Sequence, residues 1–305
     1  MTHSGLLLVD KEPGWTSHDV VQRTRRVLGQ KKVGHCGTLD PAATGLLVLT
    51  LGKATRLTRF LINAPKTYSG SIRFGISTDT YDASGEVTRK KSIEELTDAA
   101  VRDAIAAMVG SMDQAAPAYS AKKLGGVKYY EMARRGEKVP TALKEITIFD
   151  FDVDAPLRDG RLEFTLSCST GTYVRSIAND LGEALGCGAH LESLRRLAVG
   201  PFRISDARTL DSFAKQDPIA DPASLAPAWV PFDAIPLPFQ ELQADGQQER
   251  RIGNGQTIVV RETAWEEGDW VKLVNQRGRL IAVGSVVETI GDRGVGLVRP
   301  RIVFH

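Results

Sequence analysis

The chain has 305 residues, a hydrophobic fraction of 42%, a charged fraction of 25% and a formal net charge of +2. That composition belongs to a globular protein with a real core and excludes a disordered or low-complexity chain. Near neutrality excludes binding of a polyanion by overall charge, so any nucleic-acid site must come from local clustering of cations.

The apolar run Leu6-Leu7-Leu8-Val9 predicts a buried strand and is too brief for a signal-peptide core. Ser17 is expected to cap a helix that carries Val20, Val21, Val27 and Leu28 on one face and ends at Gly29. Basic residues gather here: Lys11, Arg23, Arg25, Arg26, Lys31 and Lys32. The segment from Gly34 to Gly45, GHCGTLDPAATG, follows directly. It presents Asp40 as its one carboxylate, and Asp40-Pro41 cannot continue a helix. Such a loop is either a plain surface turn or a carboxylate set beside cations to act on an anionic substrate.

Leu46 to Leu51 predicts a second buried strand, Ala54 to Ile62 a short helix, and Lys66 to Ile76 a strand. The polar run from Thr78 to Gly85 is a loop. Ser92-Ile93-Glu94-Glu95 has capping-box spacing and predicts a helix to about Val109, closed by Gly110. From Ala115 to Lys144 the chain is rich in Pro, Gly and Lys, with Tyr119, Tyr129 and Tyr130 among Lys122, Lys123, Lys128, Arg134, Arg135, Lys138 and Lys144. Ile146 to Val153 and Leu162 to Cys168 predict strands. A helix over Thr172 to Leu185 has Val174, Ile177, Leu181 and Leu185 as its core stripe, with Tyr173 and Arg175 flanking it in the first turn. Between Lys215 and Phe239 prolines accumulate, which predicts a linker. Beyond it, a hairpin over Trp270 to Val283 and strands at Ser285 to Thr289 and Gly296 to Val303 predict a small β-barrel.

Cys36, Cys168 and Cys187 are odd in number and widely spaced, so reduced thiols and a cytoplasmic location are expected rather than a disulfide framework. No stretch approaches the length of a membrane span. Gly52-Lys53 is followed by Ala54 and lacks the upstream glycine of a phosphate loop, and no Gly-x-Gly-x-x-Gly follows a strand. His35-Cys36 and Cys187…His190 lack the usual spacing of zinc ligands, so no metal is expected. No Gly-x-Ser-x-Gly supplies an acyl-transfer nucleophile. Carboxylate chemistry on RNA remains, with Arg175 a candidate cation to keep Asp40 ionised.

The segment from Gly34 to Gly45 closely resembles the signature loop of the TruB family, the tRNA pseudouridine-55 synthases. Further motifs follow the family's order: Asp10-Lys11-Glu12-Pro13-Gly14-Trp15-Thr16-Ser17, Lys66-Thr67-Tyr68, Gly171 to Gly182 (GTYVRSIANDLG) and Leu194-Arg195-Arg196-Leu197. Arg251 to Gln256 is a weaker match at the start of the C-terminal unit.

The resemblance implies an α+β pseudouridine synthase fold: a mixed, largely antiparallel sheet with flanking helices and a thumb insertion at about 119–145, spanning 1–230. A PUA-like RNA-binding barrel over 236–305 would follow. It implies Asp40 as the catalytic aspartate, Arg175 as its ion-pair partner, and Tyr68 as the ring that stacks on the target uracil and relays a proton. His35 would hold the rearranged T-loop, Leu194 would pack against the base, and Lys11 and Tyr173 would support the site. Lys122, Lys123 and Lys128 of the thumb would grip RNA. The implied substrate is the T-arm of tRNA, bound by a monomer with no cofactor, protein partner or membrane. Two residues depart from the family pattern: Cys36 stands where threonine is frequent, and Glu12 intervenes where Lys-Pro is common.

Overall fold

The strands Gly5–Lys11 and Thr44–Leu51, either side of the glycine loop in the chain, carry apolar runs that are buried on both faces, so they need cover on both sides. They lie inside an 11-stranded mixed sheet in a computed structural model. The model describes residues 3–119, 123–124, 127–129, 132, 135, 137, 139, 143–214, 221–261, 264–290 and 294–304.

In chain order the strands are β1 (Gly5–Lys11), β2 (Val33–His35), β3 (Thr44–Leu51), β4 (Lys66–Phe74), β5 (Ile76–Thr78), β6 (Val87–Lys90) and β7 (Gly110–Ala115). There follow β8 (Lys123–Leu124), β9 (Val127–Lys128), β10 (Leu143–Val153), β11 (Arg161–Cys168), β12 (Ala189–Val199), β13 (Phe202–Arg203), β14 (Arg208–Thr209) and β15 (Trp229–Pro231). The C-terminal strands are β16 (Gln240–Gln243), β17 (Ile258–Val260), β18 (Trp270–Val274), β19 (Leu280–Ile290) and β20 (Val295–Val303).

The large sheet runs β14-β1-β3-β12-β4-β11-β10-β7, with β2 paired to β3, β13 to β12 and β15 to β1 off that path. Among the described residues, the β1–β14 and β3–β12 pairs are the parallel ones within this sheet. The expected largely antiparallel mixed sheet is therefore present. The second sheet, β16-β18-β19-β20-β17, is curled into half a barrel. Its Leu280, Val283, Ile302 and Phe304 join the same apolar core as β1, β3 and β4. Phe60 packs edge-on against Trp270 at 4.8 Å and Phe239 at 4.9 Å, and Arg56 Nη1 donates to the Val303 carbonyl at 2.6 Å.

Several local expectations shift. The first helix, Ser17–Val27, is capped one residue earlier than expected, by Thr16, whose side chain and Asp19 form a reciprocal capping box. That frees the Ser17 hydroxyl for another use. The segment 54–62 becomes a 3-10 helix (Gly52–Leu57) followed by a single α-turn (Thr58–Leu61). Ser92 does not open a helix, because its hydroxyl accepts from the Glu94 amide at 3.2 Å in a local turn. The helix is Asp98–Ala106, capped by Thr97. Gly110, expected to close it, begins β7 instead. The expected strand 285–289 is the second half of one 11-residue strand, β19. Part of the proline-rich linker is sheet: β15 pairs with β1 through Gly5–Pro231, Leu6–Val230 and Leu7–Trp229. Residues 215–220 of that linker lie outside the described residues.

The splice between β3 and β12 depends on Gly45. Its φ is +99°, and a Cβ placed there would sit 2.4 Å from the Arg196 carbonyl oxygen and 2.6 Å from its amide nitrogen. Both obstacles are backbone, so neither can swing aside. Gly45→Ala is expected to destabilise the protein by roughly 2 kcal/mol or more through strain and lost strand contact. Chemical denaturation checks this, and a variant within 0.5 kcal/mol (about the noise of surface changes) would refute it.

Candidate active site

Asp40 stands on the loop between β2 and β3, and its side chain is about half exposed, at 47%. The loop's carbonyl groups are all occupied from Gly37 to Pro41. Arg196 Nη2 donates to Gly37 O at 3.1 Å and Nη1 to Thr38 O at 3.4 Å. The Ser17 hydroxyl donates to Leu39 O at 3.2 Å and accepts from the Leu39 amide at 2.9 Å. Asp40 O accepts from the Ala43 amide at 3.1 Å. Pro41 O accepts from the Gly14 amide at 2.9 Å and from Lys11 Nζ at 3.2 Å.

Arg175 comes from the first turn of the helix Val174–Ala184, as expected, and is itself buried. Its Nη1 lies 3.5 Å from Asp40 Oδ2 and 3.3 Å from Asp82 Oδ2, while Nη2 donates to Tyr119 O at 2.7 Å. A two-way clamp orients the start of that helix. The Tyr173 amide donates to Gln114 Oε1 at 2.8 Å, and Gln114 Nε2 donates to Tyr173 O at 3.1 Å. The Arg175 guanidinium also lies 5.9 Å from the Tyr173 ring centroid, within cation–π range. Asp82 is the second carboxylate on Arg175. Burial alone would raise its pKa, but hydrogen bonds from Ser84 and Thr80, with Arg175 beside it, hold it below the usual range.

Lys11 is fully buried at the end of β1. Its ammonium donates to Glu12 O, Trp15 O and Pro41 O at 3.0, 2.8 and 3.2 Å. Burial pulls its pKa down to about 8, with nearby Asp40 opposing and Arg196 reinforcing the shift. The intervening Glu12 contributes its carbonyl to this cage, so the departure from Lys-Pro leaves Lys11 in a supporting position.

Tyr68 lies on β4, buried, opposite Arg196 on β12. Burial raises its pKa, so the phenol stays protonated near neutral pH. Leu194, partly buried, lies opposite Gly70 on the same strand pair. His35 sits on β2 with its Nδ1 buried and unpartnered among the described residues. Burial first, then Arg196, lowers its pKa, which keeps the ring neutral. His35 borders a cavity of about 860 Å³ lined by Arg25, Lys31, Lys32, Lys53 and Arg56. Lys123 and Lys128 are register partners in the β8–β9 ribbon, and Lys122 lies outside the described residues.

The structure thus gathers Asp40, Arg175, Tyr173 and Lys11 around one loop, with Tyr68 and Leu194 on the strands beneath. Sequence reasoning missed Asp82, Gln114, the buried Lys66 and the role of Arg196. Lys66 Nζ donates to Ile62 O, Ala64 O and Thr170 Oγ1 at 2.6, 2.7 and 2.9 Å. Arg196 had a visible signal: a charge in the strand-like run after Ala189, where an apolar residue is the ordinary choice. No group of His, Cys, Asp and Glu suited to a metal occurs among the described residues.

The broad mixed sheet and the curled sheet that follows it make up a fold shared with solved RNA–protein complexes. Solved structures with this fold include "Structure of H/ACA RNP bound to a substrate RNA containing 2'-deoxyuridine", which aligns with a TM-score of 0.73 at 23% identity over 99% of this chain and 85% of that one. A Cbf5-Nop10-Gar1 complex aligns at 0.72 and 24% identity over 98% and 85%. The profile described as "TruB family pseudouridylate synthase (N terminal domain)" matches residues 25–174, and "tRNA pseudouridylate synthase B C-terminal domain" matches 175–234. The chain belongs to the TruB family. Relatives named tRNA pseudouridine synthase B include one from Arthrobacter sp. (strain FB24), 43% identical over 99% of this chain and 96% of its own length. Another, from Paenarthrobacter aurescens (strain TC1), is 46% identical over 99% and 95%.

Proposed function

We propose that this protein isomerises uridine 55, in the T-loop of tRNA, to pseudouridine, with Asp40 as the essential carboxylate. The observation that carries this reading is the half-exposed Asp40 carboxylate held 3.5 Å from the buried Arg175. Its relatives' name, tRNA pseudouridine synthase B, supports tRNA as the substrate. The reaction breaks the C1′–N1 bond, forms C1′–C5, releases the C5 proton to solvent and takes up one proton at the freed N1. Atoms and electrons balance within the nucleoside, so the proposed chemistry draws on no redox cofactor.

A uridine inside a folded loop is inaccessible, so the base must be extruded into a pocket. Tyr68 receives it by stacking, Leu194 packs against it, and His35 props the loop from which it left. Asp40, ion-paired with Arg175, acts on the extruded nucleotide at C1′, at C6 or as a base. Residues 1–230 are assigned to catalysis and 236–305 to RNA contact, by a monomer that needs no protein partner. Incubating the purified chain alone with a tRNA transcript and mapping pseudouridine tests this. Modification confined to position 55 is expected. No modification without added RNA or protein would overturn it.

The thumb lysines carry a separate prediction. Charge reversal of Lys122, Lys123 and Lys128 together is expected to weaken tRNA binding at least tenfold and to flatten its salt dependence, since each lost phosphate contact removes about one counterion from the slope. A salt titration of the dissociation constant that superimposes on wild type would show these lysines to be ordinary surface charge.

A further inference from the structure

We infer that Arg196 is a positioning residue for Asp40, fixing the backbone of the catalytic loop from beneath; the inference rests on the functional reading above.

Asp40 has little of its own to hold it in place. Its side chain is half exposed, and its ion-pair contact is the 3.5 Å approach of Arg175. Its position is therefore set by the loop backbone. Arg196 is the side chain that reaches both arms of that loop. Its Nη atoms take the carbonyls of Gly37 and Thr38 on the entering arm, and its Nε donates to Leu46 O at 2.7 Å on the leaving arm. Ser17 and Lys11 then hold Leu39 and Pro41 between these points.

The choice of an arginine here is physically expensive. The side chain is 1% exposed, and among the described residues no carboxylate lies within ion-pair distance of it. A buried guanidinium that meets carbonyls and the Tyr68 hydroxyl, but no carboxylate, incurs a desolvation cost that an apolar residue would avoid. What it gains is a rigid planar fork with three separately directed donors, which neither lysine nor an apolar residue supplies. The anchor of this fork is itself fixed. Gly45, at the end of the leaving arm, lies so close to the Arg196 backbone that no Cβ fits between them. Arg196 also stands opposite Tyr68 across the β12–β4 pair. One residue therefore ties the aspartate's loop to the strand that carries the proposed stacking ring.

Catalytic groups displaced by about 1 Å lose on the order of 100-fold in rate. Arg196→Lys keeps a buried cation but cannot reach both arms. It is expected to slow single-turnover tritium release from C5-labelled tRNA about 100-fold per folded molecule, with the tRNA dissociation constant changed less than about threefold. Arg196→Gln is expected to be slower still. A residue of purely structural value would lower the melting temperature and leave the rate per folded molecule unchanged, and that result overturns the inference. So does failure of both variants to reach the native fold, read by near-ultraviolet circular dichroism, because Arg196 would then be a folding requirement. Tritium release absent from the wild type counts against the functional reading alone. In that event the carboxyl 13C resonance of Asp40 decides: it is displaced in Arg196→Lys if Arg196 positions the loop, and superimposes on wild type if it does not.

Discussion

Asp40→Asn is expected to abolish pseudouridine formation while tRNA still binds. Asparagine has the same shape, and the loop is held through its carbonyls, so its path should survive the change. What disappears is the charged oxygen facing solvent beside Arg175. An amide is neither a nucleophile nor a base at neutral pH, whichever atom of the nucleotide the carboxylate engages. Losing such a group costs roughly 10⁴-fold or more in turnover. The check is tritium release from C5-labelled tRNA beside a binding measurement. A variant that keeps a tenth of the wild-type rate would remove Asp40 from the chemistry.

The second large effect is expected at Arg175. This guanidinium serves Asp40, Asp82 and the Tyr119 carbonyl at once. In Arg175→Ala, Asp82 keeps its hydrogen bonds from Thr80 Oγ1 at 2.8 Å and the Ser84 amide at 3.0 Å but loses its cation in a mostly buried setting. Breaking a buried pair in this way costs about 3 kcal/mol. Catalysis is expected to fall by several orders of magnitude as well, because Asp40 loses its counterion. Arg175→Lys retains the charge but not the fork, so stability should recover more than rate. Unfolding in urea, run beside the activity assay, separates the two. Equal recovery of both in the lysine variant would mean that charge alone matters at this position.

Much of the catalytic sheet is legible in the sequence because β1 and β3 are unbroken apolar runs, and β4 and β11 alternate. The helix carrying Arg175 shows its stripe clearly. By contrast β12, paired with both β3 and β4, is interrupted by Glu192, Arg195 and Arg196. Its polarity comes from the site it serves: Arg195 binds Asp10 through two hydrogen bonds at 3.0 and 2.7 Å, and Arg196 holds the loop. β7 has almost no apolar signal, since GSMDQA lies at the border of the sheet, yet its Gln114 orients the Arg175 helix. Asp82 was unreadable for a different reason. Asp79 and Asp82 share one turn-rich run, and only the tertiary path decides which of them meets Arg175. The motif resemblance names Asp40, Tyr68 and Arg175. The contacts that hold them come from residues far apart in sequence.

The pairing of β1 has a bearing on how the protein is made. One edge of β1 meets β3, a neighbour in sequence, but the other edge is closed by Arg208–Thr209 and by Trp229–Pro231. During synthesis β1 leaves the ribosome about two hundred residues before its outer partners do. Until then the nascent chain carries an open strand edge beside Asp10 and Lys11, the state in which β-rich intermediates are prone to mispair. Completion of the catalytic sheet is thus a late event in translation, timed by residues that take no part in the proposed chemistry.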